Sequence, residues 1–220
     1  LLTGATASGA VRIRPAANQA EAATRAMAVA PPGGSQLLLS GLVQIDSEAA
    51  LNPGDHVAAG AGVGGNANDW NIDSGIHLGA FRDGSGGVFL AAFAGGIVYP
   101  IGGPLTAAEL GHAHLIVVGI DLNPAGPDRL HAWVARAGDS LLSPAFGPNG
   151  LAIETWADPA DADTLRIQSA GGSHSGGPGG GVVIDEIRLD STLGRTTSGR
   201  QGPLEIVVDP ASGNDQNSAT

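Results

Sequence analysis

The sequence predicts an all-β protein with little helix, and three observations carry that prediction. Runs of four to nine apolar or β-branched residues alternate with clusters of Gly, Asn, Asp and Pro, the pattern of many short strands. The 36 glycines and 14 prolines follow no G-X-Y period, so the chain is not collagen-like. No stretch sustains the 3.6-residue apolar period of a long helix. At 220 residues the chain can form one substantial domain. A domain of that size buries roughly 70% of its unfolded surface.

The elements follow in order. Ala10 to Pro15 alternates Val11 and Ile13 against Arg12 and Arg14, as a half-buried strand does. Ala23 to Val29 is placed as a strand by the turn signals around it, although alanine favours helices. Pro31 to Gly34 closes it. Gln36 to Asp46 is nearly continuous in apolar residues, which suggests burial on both faces. His56 to Gly65 and a polar loop, Asn66 to Ser74, come next. Strands at Gly75 to Arg82 and Gly87 to Phe93 are joined by Asp83-Gly84-Ser85-Gly86, a hairpin signal. Pro104 to Leu110 fits one helical turn, with Thr106 as N-cap and Glu109 completing a capping box. A second hairpin joins His114–Asp121 to Asp128–Arg136, with Trp133 assigned to the core. An irregular loop, Gly138 to Asn149, leads to strands at Leu151–Trp156 and Thr164–Ala170. A glycine run then introduces Val182 to Asp190, the most strand-like segment of all. Strict alternation there puts Val183, Asp185, Ile187 and Leu189 on one face, with Glu186 and Arg188 on the other. A carboxylate buried at Asp185 would need hydrogen bonds or a metal.

Composition excludes several functions. The net charge is −11 and every base is an arginine, so the surface repels phosphate backbones and anionic lipid. Nucleic acid and membrane insertion are therefore not expected partners. No apolar run approaches the ~20 residues that span a bilayer. Without cysteine there is no disulfide, thiolate metal site or cysteine nucleophile. The chain starts at Leu1-Leu2 without methionine, which suggests that an upstream segment such as a signal peptide was removed.

The order of several pieces carries a resemblance. LLLSGLVQID (37–46) is followed by the pair HLIVVGID (114–121) and LHAWVAR (130–136), then TLRIQSAGG (164–172) and IDEIRLDST (184–192). Residues from about 36 to 192 thereby resemble bacterial laminin-G-like, concanavalin A-like jelly rolls. The resemblance implies two antiparallel sheets packed face to face, in a fold that hosts lectins, glycanases, adhesion and structural modules. On this reading 1–199 is the jelly-roll domain and 200–220 a C-terminal extension.

Each candidate chemistry stands beside a plainer account. Glycanases of this architecture carry a Glu-x-Asp-x-x-Glu strand that brings two carboxylates to one face, about 5–10 Å apart. This chain has none, and Asp185 and Glu186 are adjacent. Serine hydrolysis lacks G-x-S-x-G, and His174 sits in a glycine-rich loop. Gly60 to Gly65 matches G-x-G-x-x-G in form, yet no helix pattern follows. The chain therefore reads as non-enzymatic. Asp69, Asn71 and Asp73 place three oxygen side chains at alternate positions, like the start of a calcium loop, but Ala80 stands where the bidentate glutamate belongs. Turn residues bonding their own backbone explain the same pattern. Calcium is thus an optional ligand, and no cofactor is required. His112 and His114 lack a third metal ligand. Trp70 and Trp156, beside acidic loops that include Asp158 and Asp161, are candidates for stacking on sugars.

The chain ends depart from the family. Such domains open with a further strand that pairs beside the DEIRL strand, and only nine residues precede Ala10. After the domain comes Leu204-Glu205-Ile206-Val207-Val208-Asp209, a strand pattern. An unpaired edge is unstable in water. The expectation is that this last strand fills the gap beside Val183, Asp185, Ile187 and Leu189, in its own domain or in the next copy. Repeated head-to-tail insertion builds a filament or array. The leading expectation is thus a self-assembling extracellular protein of a bacterial surface, with copies of itself as partner. The alternative is a lectin-like module binding extracellular glycans, or a fragment of a larger adhesin.

Overall fold

The computed structural model describes residues 2–5, 11–13, 20–26, 36–62, 75–121, 128–135, 150–155, 164–170 and 180–190. Thirteen strands are described: β1 (Leu2–Ala5), β2 (Val11–Ile13), β3 (Ala20–Ala26), β4 (Gln36–Ile45), β5 (His56–Gly62), β6 (Ile76–Arg82), β7 (Val88–Ala94), β8 (Ile97–Pro100), β9 (Ala113–Asp121), β10 (Asp128–Ala135), β11 (Gly150–Thr155), β12 (Thr164–Ala170) and β13 (Val182–Asp190). The only described helix is one 3₁₀ turn, Glu48–Ala50. Sheet A has seven strands in the order β1-β2-β13-β4-β9-β10-β11, and sheet B has six, β3-β12-β5-β6-β7-β8. All pairings are antiparallel. The protein is a two-sheet antiparallel β-sandwich.

Alternation along each strand fills the space between the sheets. Leu37, Leu39, Val43 and Ile45 of β4 meet Ile116, Val118 and Ile120 of β9 in one core with Val57, Ile76, Leu78 and Leu90 of sheet B. The other face of β4 is buried as well: Leu38 is 2% exposed and Ser40 1%. Continuous apolarity in this strand therefore does mean burial on both sides. Trp133 is a buried core residue, as expected, but not of the core between the sheets. It is buried with Leu38 and Val117 in a separate cluster on the outer face of sheet A, because it alternates with Leu130, Ala132 and Val134, which point between the sheets.

The Asp83–Gly86 turn forms as expected. Its carboxylate accepts from the Ser85 hydroxyl (2.8 Å) and from the Gly87 amide (2.7 Å). A second turn follows at Gly95-Gly96, where both glycines take positive φ (55° and 76°), and it launches β8. Two glycines at φ > 0 make a hairpin turn that matches strand twist. Between Pro104 and Leu110 a turn forms rather than a helix. Half of the capping box is present, with the Thr106 amide donating to Glu109 Oε2 at 2.8 Å.

Two expectations at the chain ends are corrected. The gap beside β13 is filled, over its first three residues, by the chain's own N-terminus: Val182, Val183 and Ile184 pair with Ile13, Arg12 and Val11 of β2. The same strand is paired with β4 on its other side. The Val11–Ile13 pattern is itself the strand whose absence was inferred. Arg12 also forms an ion pair with Asp46, whose carboxylate accepts from the Gly181 amide at 2.9 Å. The second correction concerns faces. Between the Asp185–Leu42 and Arg188–Ser40 pairs, Glu186 and Ile187 together oppose Gly41. Glu186 takes φ 51°, and this β-bulge inverts the alternation. Val182 and Ile184 point into the core before it, Ile187 and Leu189 after it. Val183 and Asp185 therefore do not share a face with Ile187 and Leu189. Asp185 is half-buried rather than enclosed, and its Oδ1 accepts from the Glu186 amide at 2.8 Å. The proposed donor strand, Leu204 to Asp209, lies outside the described residues.

Candidate functional site

The outer face of a sandwich sheet normally carries the polar half of the alternation. Sheet A follows that rule in part: Arg129 is exposed, and His131 Nε2 lies 2.8 Å from Asp121 Oδ2. Sheet B does not. On β6 the inward residues are Ile76, Leu78 and Ala80, so His77, Gly79 and Phe81 face outward. On β7 the inward residues Val88, Leu90 and Ala92 leave Phe89, Ala91 and Phe93 outside. On β5, Val57, Ala59 and Ala61 point inward and His56, Ala58 and Gly60 outward. The chain has four phenylalanines and six histidines, and this one face takes three of the first and two of the second.

Register arranges them. His56, Phe81 and Phe89 form one cross-strand row, Ala58, Gly79 and Ala91 the next, and Gly60, His77 and Phe93 the third. The middle row is a floor of small residues. His56 and Phe93 sit at opposite ends of the diagonal that crosses Gly79, yet their ring centroids are 5.7 Å apart. The two rings lean toward each other across the middle row. Phe81 and Phe89 stack at 5.3 Å with an interplanar angle of 19°. His77, Ala58, Ala91 and Phe93 are fully enclosed. His56, Phe81, Phe89 and Val98 are only half-buried, so the face reaches solvent along the His56–Phe81–Phe89 row.

His56 is the titratable group at this edge. Burial lowers its pKa below 6.5, and the neighbouring Asp55 carboxylate only partly opposes that. Its Nε2 is enclosed without a hydrogen-bond partner. Asp55 is engaged elsewhere, accepting from the Asn52 amide at 2.8 Å and from Asn52 Nδ2 at 3.0 Å. A histidine with a depressed folded-state pKa binds fewer protons folded than unfolded, so stability falls as pH drops below about 6.5. Urea midpoints measured between pH 8 and pH 5 should show this loss. In His56→Gln the slope over the same window should flatten.

The other candidates are not brought together. Asp69, Trp70, Asn71, Asp73, Trp156, Asp158 and Asp161 lie outside the described residues. His112 is exposed, whereas His114 is enclosed with Nε2 3.0 Å from the Glu109 carbonyl oxygen, so the pair does not act as one chelate. Among the described residues no group of three His, Asp or Glu side chains is placed to hold a metal. Reading the sequence missed the phenylalanine and histidine face. Its signal was present in I-H-L-G-A-F and V-F-L-A-A-F, where both alternating sets are apolar or aromatic and neither reads as the solvent side.

No protein-family model and no curated protein matches the chain. Solved structures do. Alginate lyase Aly36B in complex with alginate trisaccharide is 13% identical, with 83% of this chain and 82% of that one covered at a TM-score of 0.48. The exoplasmic/lumenal domain of VIP36, in its Ca2+/Man3GlcNAc-bound form, is 10% identical over 84% and 80% at 0.47. The legume lectin-like domain from Entamoeba histolytica is 11% identical over 87% and 88% at 0.45. Likeness at this level concerns the fold alone. It nonetheless corrects the expectation of a non-enzymatic protein, since alginate lyases stand among the similar structures beside lectin-like domains. The missing Glu-x-Asp-x-x-Glu strand excludes one class of glycanase, not catalysis at large.

Proposed function

We propose that the protein binds carbohydrate on the outer face of sheet B. One observation carries this reading: His56, Phe81 and Phe89 form a cross-strand row along which the outer face of sheet B reaches solvent. Aromatic rings offer flat apolar area to the C–H faces of sugars, and an imidazole nitrogen among them offers a hydrogen bond to a hydroxyl. The loops that carry Asp69, Trp70, Asn71 and Asp73, and Trp156, Asp158 and Asp161, are proposed to extend the site, with calcium as an optional organiser. Placement outside a bacterial cell suits such a receptor. Ile184 to Thr192 supports a laminin-G-like assignment within the sandwich folds.

The experiment is a glycan array with the full chain, repeated after chelation. Retention of a defined set of glycans is expected. Each retained glycan is then incubated with the protein and followed for chain cleavage, which separates a lectin from an enzyme. Absence of retention across the array contradicts the reading.

A further inference from the structure

The row by which sheet B reaches solvent holds one titratable group and no fixed charge: His56 is in register with Phe81, and Phe81 with Phe89. The charges beside it are engaged. Asp55 accepts from the Asn52 amide and from Asn52 Nδ2. Arg82 donates to the carbonyl oxygens of Gly86, Glu48 and Leu51, and Asp83 accepts from Ser85. On β6 the other titratable group of this face, His77, stands in the row of Gly60 and Phe93. β7 reads VFLAAFA and adds no titratable side chain. On β12 Ala170 is in register with His56, and Arg166 with Gly60. His56 itself is half-buried, lies with its ring centroid 5.7 Å from that of Phe93, and has Nε2 enclosed without a hydrogen-bond partner. A neutral imidazole protonated at Nδ1 leaves only a lone pair at that enclosed atom. Charging the ring fixes an N–H there with no acceptor.

We propose, resting on the glycan reading of this face, that the ligand laid along the row is an uncharged stretch of sugar that binds only the neutral form of His56, so that acid releases it. A charged group placed on the row would lose water while every described opposite charge beside it is already engaged. An uncharged sugar face covers the imidazole further, and taking an ionisable group out of water disfavours its charged form. Burial already holds the His56 pKa below 6.5. A glycan over the ring lowers it again, so binding near the free protein's pKa expels a proton. Affinity is therefore full above that pKa and is lost as pH falls through it. The loss reaches about tenfold per pH unit, because the binding-competent fraction shrinks in that proportion.

The test repeats the glycan array with the unaltered full chain at pH 8, 7, 6 and 5, with circular dichroism confirming the fold at each. Uncharged glycans should be retained at pH 8 and 7 and held about tenfold or more weakly at pH 5. Calorimetry of the most strongly retained glycan follows, in two buffers of unlike ionisation heat, at the lowest pH where the chain is folded. It should show release of up to about one proton on binding. In His56→Gln the affinity should be level across the same range. Proton release by the unaltered chain decides the matter even if that variant does not fold. Retention confined to sulfated or carboxylated glycans, affinity that does not change with pH in the folded chain, or binding without proton release overturns the inference and leaves the glycan reading standing. A blank array at every pH removes both.

Discussion

Gly79→Ala is expected to abolish or severely weaken folding. A Cβ at position 79 would lie 1.9 Å from the Val57 carbonyl oxygen and 2.9 Å from the Ala58 Cα. Both are backbone atoms of β5, so no side chain can rotate away. Relief requires the β5–β6 ladder to separate, and that ladder holds the centre of sheet B together. Substitutions that strain backbone in this way cost about 4 kcal/mol or more, a large part of a total stability of about 5–15 kcal/mol. Gly84 is the internal control, since nothing lies within 4 Å of a Cβ there. Denaturant midpoints should show Gly84→Ala within about 0.5 kcal/mol of the parent and Gly79→Ala unfolded or far less stable. If the two variants matched, β5 and β6 could not approach as described.

Phe81→Ala should cost the most binding at the least structural expense. Phe81 is half-buried, packs against Ala58, Ala91 and Phe93, and stacks on Phe89. It lies in the row by which the face reaches solvent. Truncating a central aromatic contact typically costs about 2 kcal/mol of binding, roughly thirtyfold in Kd. The lost packing should lower stability by a further 1–3 kcal/mol or so, because the site is open on one side. Calorimetry with an array-positive oligosaccharide, run beside thermal melts, separates the two effects. Unchanged affinity in a folded Phe81→Ala protein would remove this row from the site.

The sequence made some of this visible and hid the rest for identifiable reasons. Asp83-Gly84-Ser85-Gly86 declares its hairpin because Asp and Gly have turn-specific chemistry. The Gly95-Gly96 turn carries an equally good signature, but a strand pattern that ends at Phe93 leaves β8 unread. The bulge at Glu186 has no mark in composition: an ordinary residue takes a positive φ there, and every face assignment beyond it reverses. The N-terminal pairing was hidden by brevity, since β2 spans three residues and its partner is encoded about 170 residues away. The phenylalanine and histidine face was hidden by apolarity on both sides of β6 and β7. Only pairing decides which side meets the core.

The most direct measurement is an amide-resolved NMR titration of the isotopically labelled chain with a bound oligosaccharide. Shift changes concentrated at His56–Gly60, His77–Phe81 and Phe89–Phe93 are the predicted result. Changes confined to the opposite side of the sandwich, around Asp121, His131 and Arg188, with those three stretches unmoved, would contradict it.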